Sequence, residues 1–200
     1  RGLGDVYKRQ VEAMLKNTGL TVQDCDAVAV AAGPGSFTGI RIGVSAAKGL
    51  AFAADKPCAA VSTLEAMARN VAHMDALVVC AMDARRSQIY NALFTSEHGR
   101  LTRRTPDRAI GLAELAEELR SEPLPLVIVG DGAVLCEKAL TESGLPCRLA
   151  PPQLVMQNAM SVALCAEDLA RAGKLVSAQE LLPVYLRPPQ AQRLRQPPQI

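Results

Sequence analysis

No CxxC pair occurs in this chain, only His73 and His98 are available to help bind a metal, and no apolar run reaches the ~18 residues that span a bilayer. A secretory signal is also missing. Neither charge dominates: Lys+Arg 22 against Asp+Glu 20 gives a formal net charge of +2, too near neutral to indicate nucleic-acid or membrane binding by charge alone. Any RNA contact has to be local or supplied by a partner. The six cysteines (Cys25, Cys58, Cys80, Cys136, Cys147, Cys165) lie far apart and mostly inside apolar runs. They read as buried, reduced thiols of a cytosolic protein rather than as a disulfide framework or zinc site. What is present is ordinary: 200 residues, 49% hydrophobic and 21% charged, enough to bury a core as one domain or two small lobes.

The first ten residues, RGLGDVYKRQ, have no initiator Met and do not join smoothly to the residues after them. They resemble a translated adapter or assembly scar, the other reading being a genuine start of the helix that continues through Leu15, and residues 1–10 are set aside from functional reasoning. From residue 11 the pattern reads as a helix ending at Asn17 before Gly19, and then a doubly covered strand at Asp26–Ala32. A glycine turn, a helix over Thr38–Ala54, a strand at Cys58–Val61 and a helix from Thr63 to about His73 complete the first half. The second half opens with strands at Ala76–Met82, Gln88–Thr95 and Leu101–Ile110, an antiparallel meander. A helix at Leu112–Arg120, a strand at Leu126–Val129, a helix near Ala133–Ser143, a strand at Cys147–Leu149 and a helix at Asn158–Ala172 come after it.

Superposing the two patterns gives a tandem βββαβαβα arrangement whose first copy lacks its opening three strands. That is the α/β architecture of the actin-like, sugar-kinase and heat-shock ATPase (ASKHA) superfamily. The expected organisation is a truncated first lobe at 11–75, a second lobe at 76–175, and an extension at 176–200. The extension reads as ordered at Val184–Arg187 and as a flexible, proline-rich tail beyond.

The glycine turn GPGSFTGIRIG opens a helix, yet it is neither a Walker loop, since no Lys-Ser/Thr pair follows Gly39, nor a dinucleotide fingerprint, since its spacing is GxGxxxG. Gly33-Pro34-Gly35 has the composition of a tight turn, with Pro fixing its own φ and the following Gly permitting a positive one, and Ser36 or Thr38 can cap the helix. In that helix Gly39, Gly43 and Ala47 recur every four residues beside Ile40, Val44 and Leu50. Such a stripe lets another helix approach closely, whether from the same fold or from another subunit. Gly33, Gly35 and Ser36 are also the candidates for anion affinity at the helix start. On the second-lobe turn, Asp83 stands where an acid orienting a metal or water would be, and Arg85 and Arg86 replace the glycines that let backbone amides approach a phosphate. The two arginines read either as anion or partner contacts or as solvated turn residues. Gly130-Asp131-Gly132 reads either as the adenosine-side loop of such folds or as a plain strand-to-helix turn.

Taken together, GPGSFTGIRIG, KGLAF, VSTLEAMA, MDARRSQIY and PVYLR closely resemble, in order and spacing, the bacterial TsaB (YeaZ) family. The likeness runs from about Val11 to Arg195. It implies a role in making threonylcarbamoyladenosine at position 37 of tRNAs that read ANN codons. In that system TsaB is a scaffold that pairs with its catalytic paralogue TsaD and is joined by the ATPase TsaE; threonylcarbamoyl-AMP comes from TsaC. In TsaD two histidines one helical turn apart bind the catalytic metal; the matching positions here are Thr63 and Met67, a donor pair that does not replace two imidazoles. Glu65 is then a first-turn helix acid. The resemblance therefore implies no catalytic residues, no metal and no cofactor of the chain's own, with ATP or ADP entering only in the complex with TsaD and TsaE. It also implies cytoplasmic localisation, tRNA contact only through the complex, and a homodimer as the alternative pairing. Val11–Leu20 and Thr38–Ala54, with Gly39, Ile40, Gly43, Val44, Ala47 and Leu50, are the expected interface, and a large residue at Gly43 is expected to abolish pairing while leaving the monomer folded. The contrasting expectation on the same fold is an ATP-binding kinase or an acyl-transferase-type enzyme.

Overall fold

A computed structural model describes residues 3–85 and 87–187, with side chains from residue 9 onward. Helix α1 (Leu3–Thr18) runs without a break across the boundary placed at residue 10 and stops at Gly19, whose φ of +69° ends the helix in the left-handed region. Strand β1 (Val28–Gly33) leads into α2 (Phe37–Ala54), β2 (Cys58–Ser62) and α3 (Thr63–Arg69). Then come β3 (Ala76–Asp83), β4 (Gln88–Glu97), β5 (Arg100–Arg103), β6 (Arg108–Gly111), α4 (Leu112–Glu118), β7 (Leu126–Val129), α5 (Ala133–Glu142), β8 (Cys147–Leu149) and α6 (Ala159–Arg171).

Two sheets result. β1 and β2 form a parallel pair, and the larger sheet runs β5-β4-β3-β7-β8, with β6 also on β4. In the larger sheet β7 lies between β3 and β8, whereas its counterpart β1 has a strand on one side only among the described residues. The single strand expected over Leu101–Ile110 is in fact two. β5 and β6 occupy successive stretches of the same β4 edge, because the chain leaves the ladder at Arg104–Asp107, where Pro106 has no N–H to give and Thr105 Oγ1 accepts from Leu93 N at 2.9 Å.

Alternation along the strands sets the layers, since period-2 side chains supply two faces. Leu77, Val79 and Ala81 of β3 face α4 and α5 (Leu115, Cys136, Leu140), while Val78, Cys80 and Met82 face α3 (Leu64, Met67). Ala59 and Val61 of β2 meet Ala66 and Cys165, and the other face of the small sheet meets Ile40, Val44, Ala47 and Ala51 of α2. The order is thus α2, small sheet, α3 with α6, large sheet, α4 with α5. α6, placed with the second lobe by the sequence, packs against β2 as well as α3. Among the described residues no helix is long and apolar enough to cross a membrane.

Two glycines of the second lobe are explained by close backbone approach. A Cβ on Gly130 would overlap the carbonyl oxygen of Ala81, and one on Gly132 would lie 2.9 Å from the Asp83 nitrogen. The Gly130-Asp131-Gly132 loop is therefore pressed onto the end of β3. Gly130→Ala, at φ +110°, is expected to cost about 3 kcal/mol or more, and Gly144→Ala, at φ +77° with open space around it, only about 1 kcal/mol, read from urea unfolding midpoints.

The cysteines are all free, and Cys58, Cys80, Cys136 and Cys165 are buried. Burial pushes the Cys136 thiol up to about 12 and the Cys165 thiol up to about 11, from 9.0. Above pH 9 the unfolded chain releases these protons while the folded chain retains them, so stability falls as pH rises from 9 towards 11. Cys136→Ala is expected to reduce that slope by up to about 1.4 kcal/mol per pH unit, checked by urea midpoints at a series of alkaline pH values.

Candidate functional site

The turn that opens α2 is closed by the other end of the chain. Gly33 has φ +137°, and a Cβ there would overlap the carbonyl oxygen of Val184, whose N–H donates to Ala32 O at 2.8 Å. The left-handed glycine is Gly33, before the proline, rather than Gly35 after it; Gly35 packs under Ile40 and Met82. Ser36 caps the helix, accepting from Gly39 N at 3.4 Å. Of the three residues proposed for anion affinity, Gly33 is buried, Gly35 half-buried and Ser36 exposed.

Segment 176–187 makes this closure by binding along α2 and the small sheet. Val176 exchanges two backbone hydrogen bonds with Cys58 (2.8 and 2.9 Å), Ala178 and Leu181 join the α2 core, and Lys48 Nζ donates to Gln179 O at 2.8 Å. Tyr185 then reaches the first turn of α2: its ring centroid is 5.0 Å from that of Phe37, its hydroxyl accepts from Arg41 Nε at 2.7 Å, and the Arg41 guanidinium stacks 3.9 Å above the Phe37 ring. Arg187 finally crosses to the larger sheet, donating to Ala84 O at 2.8 Å and lying over the Tyr90 ring. The ordered stretch expected at Val184–Arg187 is there, held by packing, though not as a strand; the tail expected beyond it lies outside the described residues.

Of the expected interface residues, Ile40, Val44 and Ala47 are buried inside this chain, against the small sheet and Leu181. The Cβ direction of Gly43 points at Val30 Cγ2, 3.7 Å away. Gly43 is half-buried and a Cβ there would meet Val30 Cγ2 at ordinary contact distance, so position 43 borders both the chain's own small sheet and solvent. What α2 shows to solvent is the adjoining face: Arg41, Ser45, Ala46 and Gly49 are exposed, and Ile42 and Leu50 half-buried. Together with Val11 and Leu15 of α1 this face bounds a mostly apolar groove of about 730 Å³. Gly39 is exposed one turn below, beside Ser36.

The second-lobe turn is self-satisfied. Asp83 N donates to Asp131 Oδ1 at 3.0 Å, and Asp83 Oδ1 accepts from Arg85 N at 2.6 Å. Arg85 and Ser87 take φ of +63° and +56° without glycine, and the Arg85 side chain is exposed; Arg86 lies outside the described residues.

Thr63 and Met67 are 4% and 0% exposed, and Met67 lies in the core between α3 and the larger sheet. A buried hydroxyl and a thioether packed among Leu64, Val71 and Val78 offer a metal no usable donor set, and among the described residues no group of three metal-ligating side chains occurs. His73 and His98 are both exposed. Glu65 is more than a helix-terminal acid: Arg103 Nη2 donates to Glu65 Oε2 and Arg103 Nη1 to Asp107 Oδ1, both at 2.6 Å, while Ser62 Oγ donates to Asp107 Oδ2 at 2.6 Å. Burial alone lowers the Arg103 pKa, but the hydrogen bonds and charges of the two carboxylates outweigh it and hold the pKa raised. This network was hidden in the sequence, because its members stand in two stretches about 40 residues apart, Ser62–Glu65 and Arg103–Asp107; the break of the meander around Pro106 is the one local sign of it.

The layered sheets and helices are ASKHA-like, and residues 6–181 match the family described as TsaD, tRNA N6-adenosine threonylcarbamoyltransferase. That defines the class of protein. Within it, the chain is 33% identical over 181 residues, 88% of its length and 77% of the relative's, to the Escherichia coli tRNA threonylcarbamoyladenosine biosynthesis protein TsaB. It is 38% identical over 132 residues to the Bacillus subtilis protein of the same name, covering 66% of this chain and 58% of that one. The solved structure of YeaZ from Pseudomonas aeruginosa superposes with a TM-score of 0.78 at 26% identity, covering 93% of this chain and 85% of that one. The chain belongs to the TsaB (YeaZ) family.

Gly33→Ala tests the closure. It is expected to lower stability by about 2 kcal/mol and to speed hydrogen exchange at the Val184 amide at least ~10-fold, while exchange in β7 and α5 follows global stability alone.

Proposed function

We propose that this protein serves in threonylcarbamoyladenosine formation at position 37 of ANN-decoding tRNAs, as a non-catalytic cytoplasmic subunit that pairs with TsaD. The observation that carries this reading is the setting of Thr63 and Met67. The helical face that holds a metal in the catalytic paralogue is, in this chain, a core face. Membership of the TsaB family supplies the pathway. The groove between α1 and α2 supplies a surface for pairing: Ser45, Ala46 and Gly49 are small and exposed, so a partner helix can approach closely. TsaE, ATP or ADP, and tRNA join through the complex with TsaD rather than on this chain alone.

The protein, reconstituted with TsaC, TsaE and an unmodified ANN-decoding tRNA, is expected to give threonylcarbamoyladenosine only when TsaD is added, as read by mass spectrometry of the digested tRNA. Modification without TsaD would contradict a non-catalytic role.

A further inference from the structure

Arg41 stands at the edge of the α1–α2 groove and is held in a way that a solvated surface arginine is not. Its Nε donates to Tyr185 Oη at 2.7 Å, its guanidinium lies 3.9 Å above the Phe37 ring, and the Tyr185 ring centroid is 5.7 Å from its Cζ. Two motif blocks far apart in sequence, GSFTGIRIG and PVYLR, thus meet on this one side chain. Holding Nε and stacking the plane fix the guanidinium's orientation, while neither Nη has an acceptor among the described residues. A planar fork with its plane fixed and both terminal nitrogens unengaged is matched by a carboxylate, which takes two parallel N–H donors.

We propose that Arg41 is the specificity-determining anchor of the groove, receiving a carboxylate from a helical partner protein whose apolar face lies along Ile42, Ala46 and Leu50, and that Tyr185 positions it. This rests on the reading that the groove is the pairing surface. Charge selects the partner: a mostly apolar groove with a fixed cation at its edge, its own acid Glu12 having an interaction within the chain, fits an apolar helix face with an acid at the matching end. A second copy of this chain fits less well, because Glu12, the acid lining the groove, already has an interaction within its own chain. The arrangement also makes pairing depend on the carboxy-terminal segment, since Tyr185 is carried by the stretch that closes over Gly33.

The test uses the protein with the TsaD encoded in the same genome, measured by biolayer interferometry, with circular dichroism confirming the fold of each variant. Ala46→Arg, on the exposed groove face, is expected to abolish binding and tests the groove itself. Arg41→Gln is expected to weaken binding about 10- to 30-fold and Arg41→Lys nearly as much, because an ammonium lacks the fork. Tyr185→Phe, which keeps the ring and removes the acceptor, is expected to weaken binding by about 3- to 10-fold. Salt dependence is expected to be shallower for Arg41→Gln than for wild type. Full binding by Arg41→Gln, with Ala46→Arg inactive, overturns the anchor and leaves the groove reading standing. Full binding by Ala46→Arg overturns both. Rescue by Arg41→Lys overturns the carboxylate fork, and a wild-type homodimer that Arg41→Gln dissolves overturns the choice of partner.

Discussion

The fold depends on α3, a seven-residue helix with a sheet on either side. Too short to be stable by itself, it persists because Leu64, Ala66, Met67 and Ala68 are completely buried, Ala66 towards the small sheet and the others towards the large one. Helix α6 lies beside it, joined by the Arg69–Asp168 ion pair. Because both sheets use α3 as shared core, the positions of Thr63 and Met67 are packed rather than open. Truncating a side chain buried like that of Met67 ordinarily costs about 2–5 kcal/mol, a large part of the stability of a small domain. Chemistry on this helix would have to displace packing of that size.

Around this centre, polar groups supply orientation. The Ser62, Glu65, Arg103 and Asp107 network joins the start of α3 to the broken edge of the larger sheet. On the far side of the small sheet, segment 176–187 ties α2 to β1 and β2 and ends with Arg187 on the carbonyl of Ala84. The glycine turn is where these constraints are most visible. At Gly33 a positive φ coincides with a second stretch of chain lying so close that a Cβ has no room.

Much of this was legible in the sequence. Helices and strands of the second lobe were readable because β3 and β7 are continuous apolar runs covered on both faces, and α6 begins at the Asn158 cap. The small-residue stripe of α2 was readable as a packing surface, but its direction was not. Spacing of four residues marks a helix face without saying which neighbour it meets, and the structure turns Ile40, Val44 and Ala47 inward and the adjoining Ser45, Ala46 and Gly49 outward. Contacts between residues more than 100 positions apart, such as Arg41 with Tyr185 and Ala32 with Val184, leave no local period to read. They are products of the tertiary fold.

The proposed function makes the α1–α2 face the docking surface, while Thr63, Met67 and Gly33 are taken up in the chain's own packing. Hydrogen–deuterium exchange of the protein with and without TsaD tests that division most directly. Added protection is predicted over Val11–Leu20, over the exposed side of α2 and at Val184–Arg187, with α3, the Asp83–Ser87 turn and the Gly130–Gly132 loop unchanged. Protection centred on that turn and loop, with α1 and α2 unchanged, would contradict it.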